Sequence, residues 1–286
     1  MTLDRPARAP AIANVLTIAS SDSGGGAGVQ ADLKTFAALG TYGASVITAI
    51  TAQNTRTVTA IHDLPPAMIA AQLDAVFDDI AIAAVKIGML SRPEVIETVA
   101  GRLARHGARP IVLDPVMVAK SGDRLLRPDA VAALVGRLLP LARVITPNLP
   151  EAGVLLDREP PRDEADMVEA AAALRELGPQ AVLLKGGHLT GDRSFDVFDD
   201  GGGPRLLHAE RIATSNTHGT GCTLSAAIAA LLGRGMALAA AVETAKSYIT
   251  RAIAAADRLD VGRGHGPVHH FHDLWRRQPE EGGSTP

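Results

Sequence analysis

The run Asn216-Thr217-His218-Gly219-Thr220-Gly221-Cys222 concentrates the most chemistry in this chain of 286 residues. It leads into an Ala-rich segment of helical character, so small residues stand where a helix begins. The N–H groups of such a first turn have no intrahelical partner and point at one spot. That geometry suits the charge spread over a phosphoryl group in transfer. The helix dipole predicts a lowered pKa and a thiolate at Cys222. The bland reading, a glycine-rich cap before a buried and inert cysteine, has equal weight on this run alone. Asn148 and Glu151 form a second pattern, Asn-x-x-Glu at a strand-to-helix turn. Both can face a crevice and organise Mg²⁺ through waters, or serve as an ordinary helix cap. Asp114 at a strand end has the same double reading. Lys185, ending an aliphatic run, is costly there unless it is paired or serves a phosphate.

A third feature is Gly24-Gly25-Gly26-Ala27-Gly28, between a strand and a helix. Its backbone amides could cradle an anionic or polar ligand, or the glycines could simply allow tight strand–helix packing. A dinucleotide fold needs a carboxylate about 20 residues on; Val46–Ile50 holds none. No Gly-x-x-x-x-Gly-Lys-Ser/Thr and no Gly-x-Ser-x-Gly occurs, which disfavours P-loop NTPases and elbow hydrolases. His265, His269, His270 and His272 crowd the C-terminal region; neighbouring histidines point apart, so a polar closure of the domain is preferred to a metal site.

These residues need elements to hold them. Near-continuous aliphatic runs at Ala13–Ala19, Ala44–Ile50, Ala84–Ile87, Ile111–Asp114, Arg143–Ile145 and Ala181–Lys185 predict parallel strands covered on both faces. Between them, Met68, Ile69, Leu73, Val76, Phe77 and Ile80 follow helical spacing. Ser91-Arg92-Pro93-Glu94 reads as a capping box. Glu164–Leu177 is a helix closed by Gly178. Phe195, Val197 and Arg205–Ile212 alternate around Gly201-Gly202-Gly203 as an edge hairpin. Helices are expected over Thr220–Leu232 and Leu238–Ala256. Six βα units in series predict one α/β domain with right-handed crossovers. Ligands of such a sheet bind beyond the carboxyl ends of its strands, where the residues named above fall.

Composition narrows the class. The 28 basic and 31 acidic side chains give a net charge of −3, and 47% of residues are hydrophobic. A large buried core is possible, and the balance argues against nucleic-acid or anionic-membrane partners. The single cysteine excludes an internal disulfide framework and suits a reducing compartment. No stretch has the length and apolarity of a membrane span, and the start lacks a signal peptide's apolar segment. The expectation is a cytoplasmic protein whose one domain covers residues 12–275, with flexible tails over 1–11 and 276–286.

Read together, the pieces resemble a family. They are Leu16–Ala19, Ser23–Lys34 (SGGGAGVQADLK), Val46–Arg56 (VITAITAQNTR), Lys86–Leu90 (KIGML), Lys120–Asp123 (KSGD), Ile145–Glu151 (ITPNLPE), Lys185–Leu189 (KGGHL), Asn216–Ser225 (NTHGTGCTLS) and Gly266–His272 (GPVHHFH). In this order they resemble the hydroxymethylpyrimidine/phosphomethylpyrimidine kinases of thiamine biosynthesis, in the ribokinase-like superfamily. The resemblance implies a three-layer sandwich with a mainly parallel central sheet and an edge hairpin. It implies ATP and Mg²⁺, an aminopyrimidine substrate, and a homodimer, as superfamily relatives often form. Asp32 and Gln53 then contact the pyrimidine, Met89 and Val116 form an apolar wall, and the loop with Gly24 and Gly25 lies over the substrate. Asn148, Glu151 and Asp114 fall around Mg²⁺ and the nucleotide phosphates, with Asp114 and Glu151 as metal residues. Lys185 contacts phosphate, Gly219, Thr220 and Gly221 form the anion hole, and Cys222 takes the catalytic position, where sugar kinases usually carry an aspartate. Some members have a proline and a serine where this chain has Ser23 and Gly24. A pyridoxal kinase is the nearest alternative; a non-catalytic metabolite-binding protein and a Rossmann oxidoreductase are more distant.

Overall fold

Aliphatic and β-branched runs form the strands, and the amphipathic segments between them form the helices that cover both faces. The computed structural model describes residues 12–117, Leu126, 128–187 and 193–275. In chain order the elements are β1 (Asn14–Asp22), α1 (Gly28–Ala38), β2 (Tyr42–Gln53), β3 (Val58–Asp63), α2 (Pro66–Asp79), β4 (Ile82–Ile87), α3 (Pro93–Arg105), β5 (Ile111–Leu113), α4 (Pro128–Ala133), β6 (Val144–Ile145), α5 (Leu149–Leu156), α6 (Glu164–Glu176), β7 (Val182–Lys185), β8 (Arg193–Asp199), β9 (Arg205–Glu210), α7 (Thr220–Gly233) and α8 (Leu238–Ala254). The expected flexible tails and the KSGD stretch lie outside the described residues.

One nine-stranded sheet has the order β3-β2-β1-β4-β5-β6-β7-β8-β9. The six inner strands are parallel; β3 at one edge and the β8–β9 hairpin at the other are antiparallel. The chain moves from β1 outward to β2, then returns to lay β4 on the opposite side of β1. Such a reversal opens a crevice at the carboxyl ends of the two strands.

Side chains alternate between two cores. Leu16, Ile18, Val85, Ile87, Ile111, Leu113, Ile145, Val182 and Leu184 join residues of α2, α3, α5 and α6 on one face. Val15, Ala84, Val112, Val144 and Leu183 join α7 and α8 on the other. The period of two then places the next residue but one on that second face. Those residues are Thr17, Lys86, Asp114, Thr146 and Lys185. Each strand of the middle of the sheet thus begins apolar and ends polar beneath α1 and α7.

Two expectations are corrected. The sequence reading omitted β3, because Val58–Asp63 is largely exposed and pairs only at an edge, where no continuous aliphatic run is required. Ser91 and Glu94 do not form a capping box: the N-cap of α3 is Arg92, without a side-chain cap. The Ser91 hydroxyl donates instead to Asp63 Oδ1 at 2.5 Å. A charged acceptor at the end of β3 holds it more strongly than a helix amide can hold a neutral oxygen. Gly178 does close α6, with φ of 115° and its N–H donated to the Arg175 carbonyl.

Candidate active site

All five polar strand-end residues take part in two linked clusters of charges and hydroxyls beneath α1 and α7. At one end, Asp32 on α1 and Lys86 on β4 are both 0% exposed. Lys86 Nζ donates to Asp32 Oδ2 at 2.8 Å, and Thr17 Oγ1 donates to the same oxygen at 2.6 Å. Asp32 Oδ1 is buried without a partner among the described residues. Burial raises the Asp32 carboxyl and works against the Lys86 ammonium, but Asp32 outweighs it and holds the Lys86 pKa far above its ordinary value. The 2.8 Å contact makes the two a fully buried salt bridge.

At the other end, Lys185 Nζ donates to Asp114 Oδ1 at 2.9 Å, and Thr146 Oγ1 donates to the same oxygen at 2.9 Å. A Cβ added to Gly221 would meet Lys185 Nζ at 3.2 Å and Asp114 Oδ2 at 3.4 Å. The ammonium and the carboxylate thus lie against the first turn of α7. Burial lowers the tendency of Lys185 to hold its proton, and Asp114 and Glu151 together more than restore it. Asn148 and Glu151 form a reciprocal capping box on α5: Glu151 N–H donates to Asn148 Oδ1 at 2.9 Å, and Asn148 N–H to Glu151 Oε2 at 2.7 Å. The cap and the site are the same residues here, since the Asn148 backbone bridges to Lys185. Burial pushes the Glu151 carboxyl up to about 7, against the pull of Lys185.

Cys222 occupies the third position of α7, between these two ends. Gly28 N–H at the start of α1 also bonds to it. The thiolate expected from the helix dipole is not what its surroundings favour. Burial pushes the Cys222 thiol up to about 11; Lys86 pulls it down, while Asp32 and Asp114 push with the burial. Dipoles of a first turn contribute roughly 1 kcal/mol, less than desolvation beside two carboxylates costs. Cys222 is a neutral thiol at pH 7.

The glycine loop is also occupied otherwise than expected. Asp22 accepts from the N–H groups of Gly24 (2.8 Å), Gly26 (3.0 Å) and Ala27 (2.8 Å), so the anion in this cradle is the chain's own carboxylate. His218 Nε2 lies 3.1 Å from Asp22 Oδ2 and 3.3 Å from Gln53 Nε2. Burial raises the Asp22 carboxyl, but His218 and the loop amides hold it below its usual range. Gly219 has φ of 77° and is the N-cap of α7; a Cβ there would collide with the Gly26 carbonyl. No side chain caps α7. The C-terminal segment closes this side: His218 N–H donates to the Gly266 carbonyl at 3.0 Å, and His270 packs against Thr223 at 3.1 Å. Burial lowers His270 to about 3, and among the described residues no group of three or more histidine, cysteine, aspartate or glutamate side chains is placed to hold a metal ion.

Of the expected residues, Asp32, Asp114, Asn148, Glu151, Lys185, Gly221 and Cys222 form one connected group, with Gly219 and Thr220 at its helix start. Gln53 stands apart, half-buried at the rim with His218 and the Gly24–Gly25 loop. Met89 is buried and its carbonyl accepts from Thr48 Oγ1 at 3.0 Å; Val116 is half-buried just past Asp114. The sequence reading assigned no role to Lys86, Thr17, Asp22 or His218. Lys86 had a legible signal: a lone ammonium at an alternate position of a strand that is otherwise aliphatic.

A crevice at a sheet reversal, with a glycine-capped helix start between a lysine and two carboxylates, defines a ribokinase-like kinase. The chain matches the phosphomethylpyrimidine kinase family over residues 22–269. It is 61% identical to the hydroxymethylpyrimidine/phosphomethylpyrimidine kinase of Rhizobium meliloti over 261 residues, 91% of this chain and 98% of that one. Among solved structures, the pyridoxal kinase of Bacillus subtilis in complex with ADP superposes with a TM-score of 0.86 at 39% identity, covering 92% of this chain and 100% of that one. The phosphomethylpyrimidine kinase of Clostridium difficile gives 0.75 at 46%, covering 84% and 99%. The chain belongs to the hydroxymethylpyrimidine/phosphomethylpyrimidine kinase family. No helix among the described residues is long and apolar enough to cross a membrane.

Proposed function

We propose that the chain transfers the γ-phosphoryl group of ATP to the hydroxymethyl group of 4-amino-5-hydroxymethyl-2-methylpyrimidine, and then phosphorylates the monophosphate to the diphosphate, in thiamine biosynthesis. One observation carries this reading: a buried carboxylate with a free oxygen, Asp32, and a phosphate-type helix start beside Lys185 flank the same thiol, Cys222. Asp32 accepts from the ring amino group, and Gln53 completes the pyrimidine contacts from the rim. Met89 and Val116 supply the apolar wall, and the loop of Gly24 and Gly25 covers the substrate.

The substrate oxygen attacks the γ-phosphorus in line, its new bond forming as the bond to ADP breaks. Gly219, Thr220 and Gly221 present the first-turn amides of α7 to the transferring group, and Lys185 balances its charge. In a loose transition state the hydroxyl proton departs late, onto a phosphoryl oxygen, so no strong base is needed. Cys222 acts as a neutral hydrogen-bond partner of the attacking hydroxyl.

The carboxylates of Asp114 and Glu151, with Asn148 beside them, fit Mg²⁺, which takes one or two carboxylates together with phosphate oxygens and waters. When bound, it neutralises charge on the β- and γ-phosphates. The reading further takes residues 12–275 as one kinase domain of a cytoplasmic homodimer; a solution mass of twice 29.6 kDa tests the dimer.

A second reading, phosphorylation of pyridoxal, is favoured by the match to pyridoxal kinases. Steady-state assays with ATP and Mg²⁺ on hydroxymethylpyrimidine, its monophosphate and pyridoxal decide between them. Turnover of both pyrimidines with the higher kcat/KM supports the first reading. Turnover of pyridoxal alone overturns it.

A further inference from the structure

We propose that Lys86 is a positioning residue for the pyrimidine, keeping Asp32 a charged acceptor whose free oxygen takes the ring amino group, and so favouring an aminopyrimidine over a ring with an ionisable hydroxyl at that place. The inference rests on the reading above that Asp32 contacts the substrate.

The two oxygens of Asp32 are treated differently. Both protein donors, Lys86 Nζ at 2.8 Å and Thr17 Oγ1 at 2.6 Å, bond to Oδ2. Oδ1 has none among the described residues, although Asp32 is 0% exposed. Buried polar atoms are rarely left unpaired, and each one that is needs a reason. An acceptor reserved for a ligand's N–H is such a reason. The fixed pair on Oδ2 stops the carboxylate from rotating, so Oδ1 keeps one direction.

The charge itself matters as much as the direction. A carboxylate this buried loses its charge unless a cation stays beside it. Neutral, it carries an O–H and becomes a poorer acceptor for an amino group; charged, it makes a hydrogen bond of roughly twice the strength. It also repels an ionised ring hydroxyl, which an aminopyrimidine lacks. Lys86 reaches this place from β4 because Gly88, two residues on, clears it: a Cβ there would lie 2.8 Å from Nζ. The charged or titratable groups around the pair are Cys222 on α7 and Asp114 beyond β5, and Asp114 is itself matched by Lys185.

The test uses the full chain, with saturating ATP and Mg²⁺, and follows KM for hydroxymethylpyrimidine from pH 6 to pH 9. The wild type holds a flat KM over this range. In Lys86→Met, KM rises at least tenfold at pH 7 and falls as pH rises, because the unpaired Asp32 ionises only in alkali. KM for ATP stays within twofold, and Lys86→Arg restores the flat profile. A Lys86→Met enzyme with unchanged KM, or with a KM raised equally at every pH, overturns the inference. Should Lys86→Met not fold, ¹³C-aspartate spectra of the wild type decide, with Asp32→Asn assigning the resonance. The Asp32 carboxyl stays ionised from pH 8 to 6 and shifts when hydroxymethylpyrimidine is added; titration within that range overturns the inference. Asp32→Asn separates the two ideas: if it leaves the pyrimidine KM unchanged, the site reading fails. If it raises KM while Lys86→Met does not, only the role of Lys86 fails.

Discussion

The carbonyl oxygen of Gly26 occupies the space that a Cβ on Gly219 would need. The loop after β1 and the start of α7, nearly 200 residues apart in the chain, thus touch backbone to backbone. That contact sets how closely the glycine loop approaches the first turn of α7.

Gly219→Ala tests the contact. Its φ of 77° is strained for alanine, and the methyl group must displace Gly26. The variant is expected to lose about 1–3 kcal/mol of stability from the backbone alone. Activity falls further, with kcat down on the order of 10²-fold as the first-turn amides shift. Thermal melts and kcat measured on the same preparation check both. A variant with wild-type kcat contradicts the role of this turn.

Burial that lifts Cys222 to about 11 makes its reactivity predictable. Iodoacetamide is expected to label the native enzyme slowly at neutral pH, with a rate that climbs through the alkaline range. Fast labelling with an inflection near pH 7 shows a thiolate instead.

Cys222→Asp addresses why a thiol stands here. A third carboxylate would join Asp32 and Asp114, whose charges already act on this position. It would also repel a substrate that bears phosphate. The second phosphorylation is expected to lose more activity than the first, when the two half-reactions are assayed separately. Equal losses would sink the electrostatic explanation.

Lys185→Met removes the ammonium from the mouth of α7 and leaves Asp114 buried with Thr146 as its remaining donor among the contacts described. Breaking such a pair costs about 3–5 kcal/mol. The expected kinetic signature is a fall in kcat of about 10² with KM for the pyrimidine within twofold. Adding Asp114→Asn is expected to recover stability without activity, which melts and rates measured side by side resolve.

Glu151 makes stability depend on pH. Its carboxyl is raised from 4.5 to about 7 in the fold, chiefly by burial. The folded state therefore holds this proton where the unfolded state has lost it. The contribution is full below pH 4.5 and is lost as pH rises through 7. In Glu151→Gln that loss is expected to vanish, so the difference in Tm between variant and wild type shifts in the variant's favour from pH 5 to pH 8. A constant difference contradicts the raised pKa.

Much of the architecture was legible because a parallel strand covered on both faces must be aliphatic throughout. The runs ending at Ile87, Lys185 and Asp114 could hardly be anything else. The edge strand β3 was not legible, since pairing on one side and solvent on the other impose no such pattern on Val58–Asp63. Candidate site residues showed themselves where a polar group ended an apolar run, as at Asp114 and Lys185, or where glycines cap and open a helix, as at Gly219 and Gly221.

The amino-acid sequence by itself determined the parallel strands and the segments that carry Asp32, Asp114, Lys185 and Cys222, because spacing along one chain records which residues end strands and begin helices; the family showed in the resemblance of its motifs. Only the tertiary structure decided their charge states and partners. Asp22 takes the glycine-loop amides, Lys86 fixes one oxygen of Asp32 and leaves the other free, and Cys222 is a thiol rather than a thiolate. These outcomes depend on burial and on distances of about 3 Å between residues far apart in sequence, where desolvation and Coulomb terms compete.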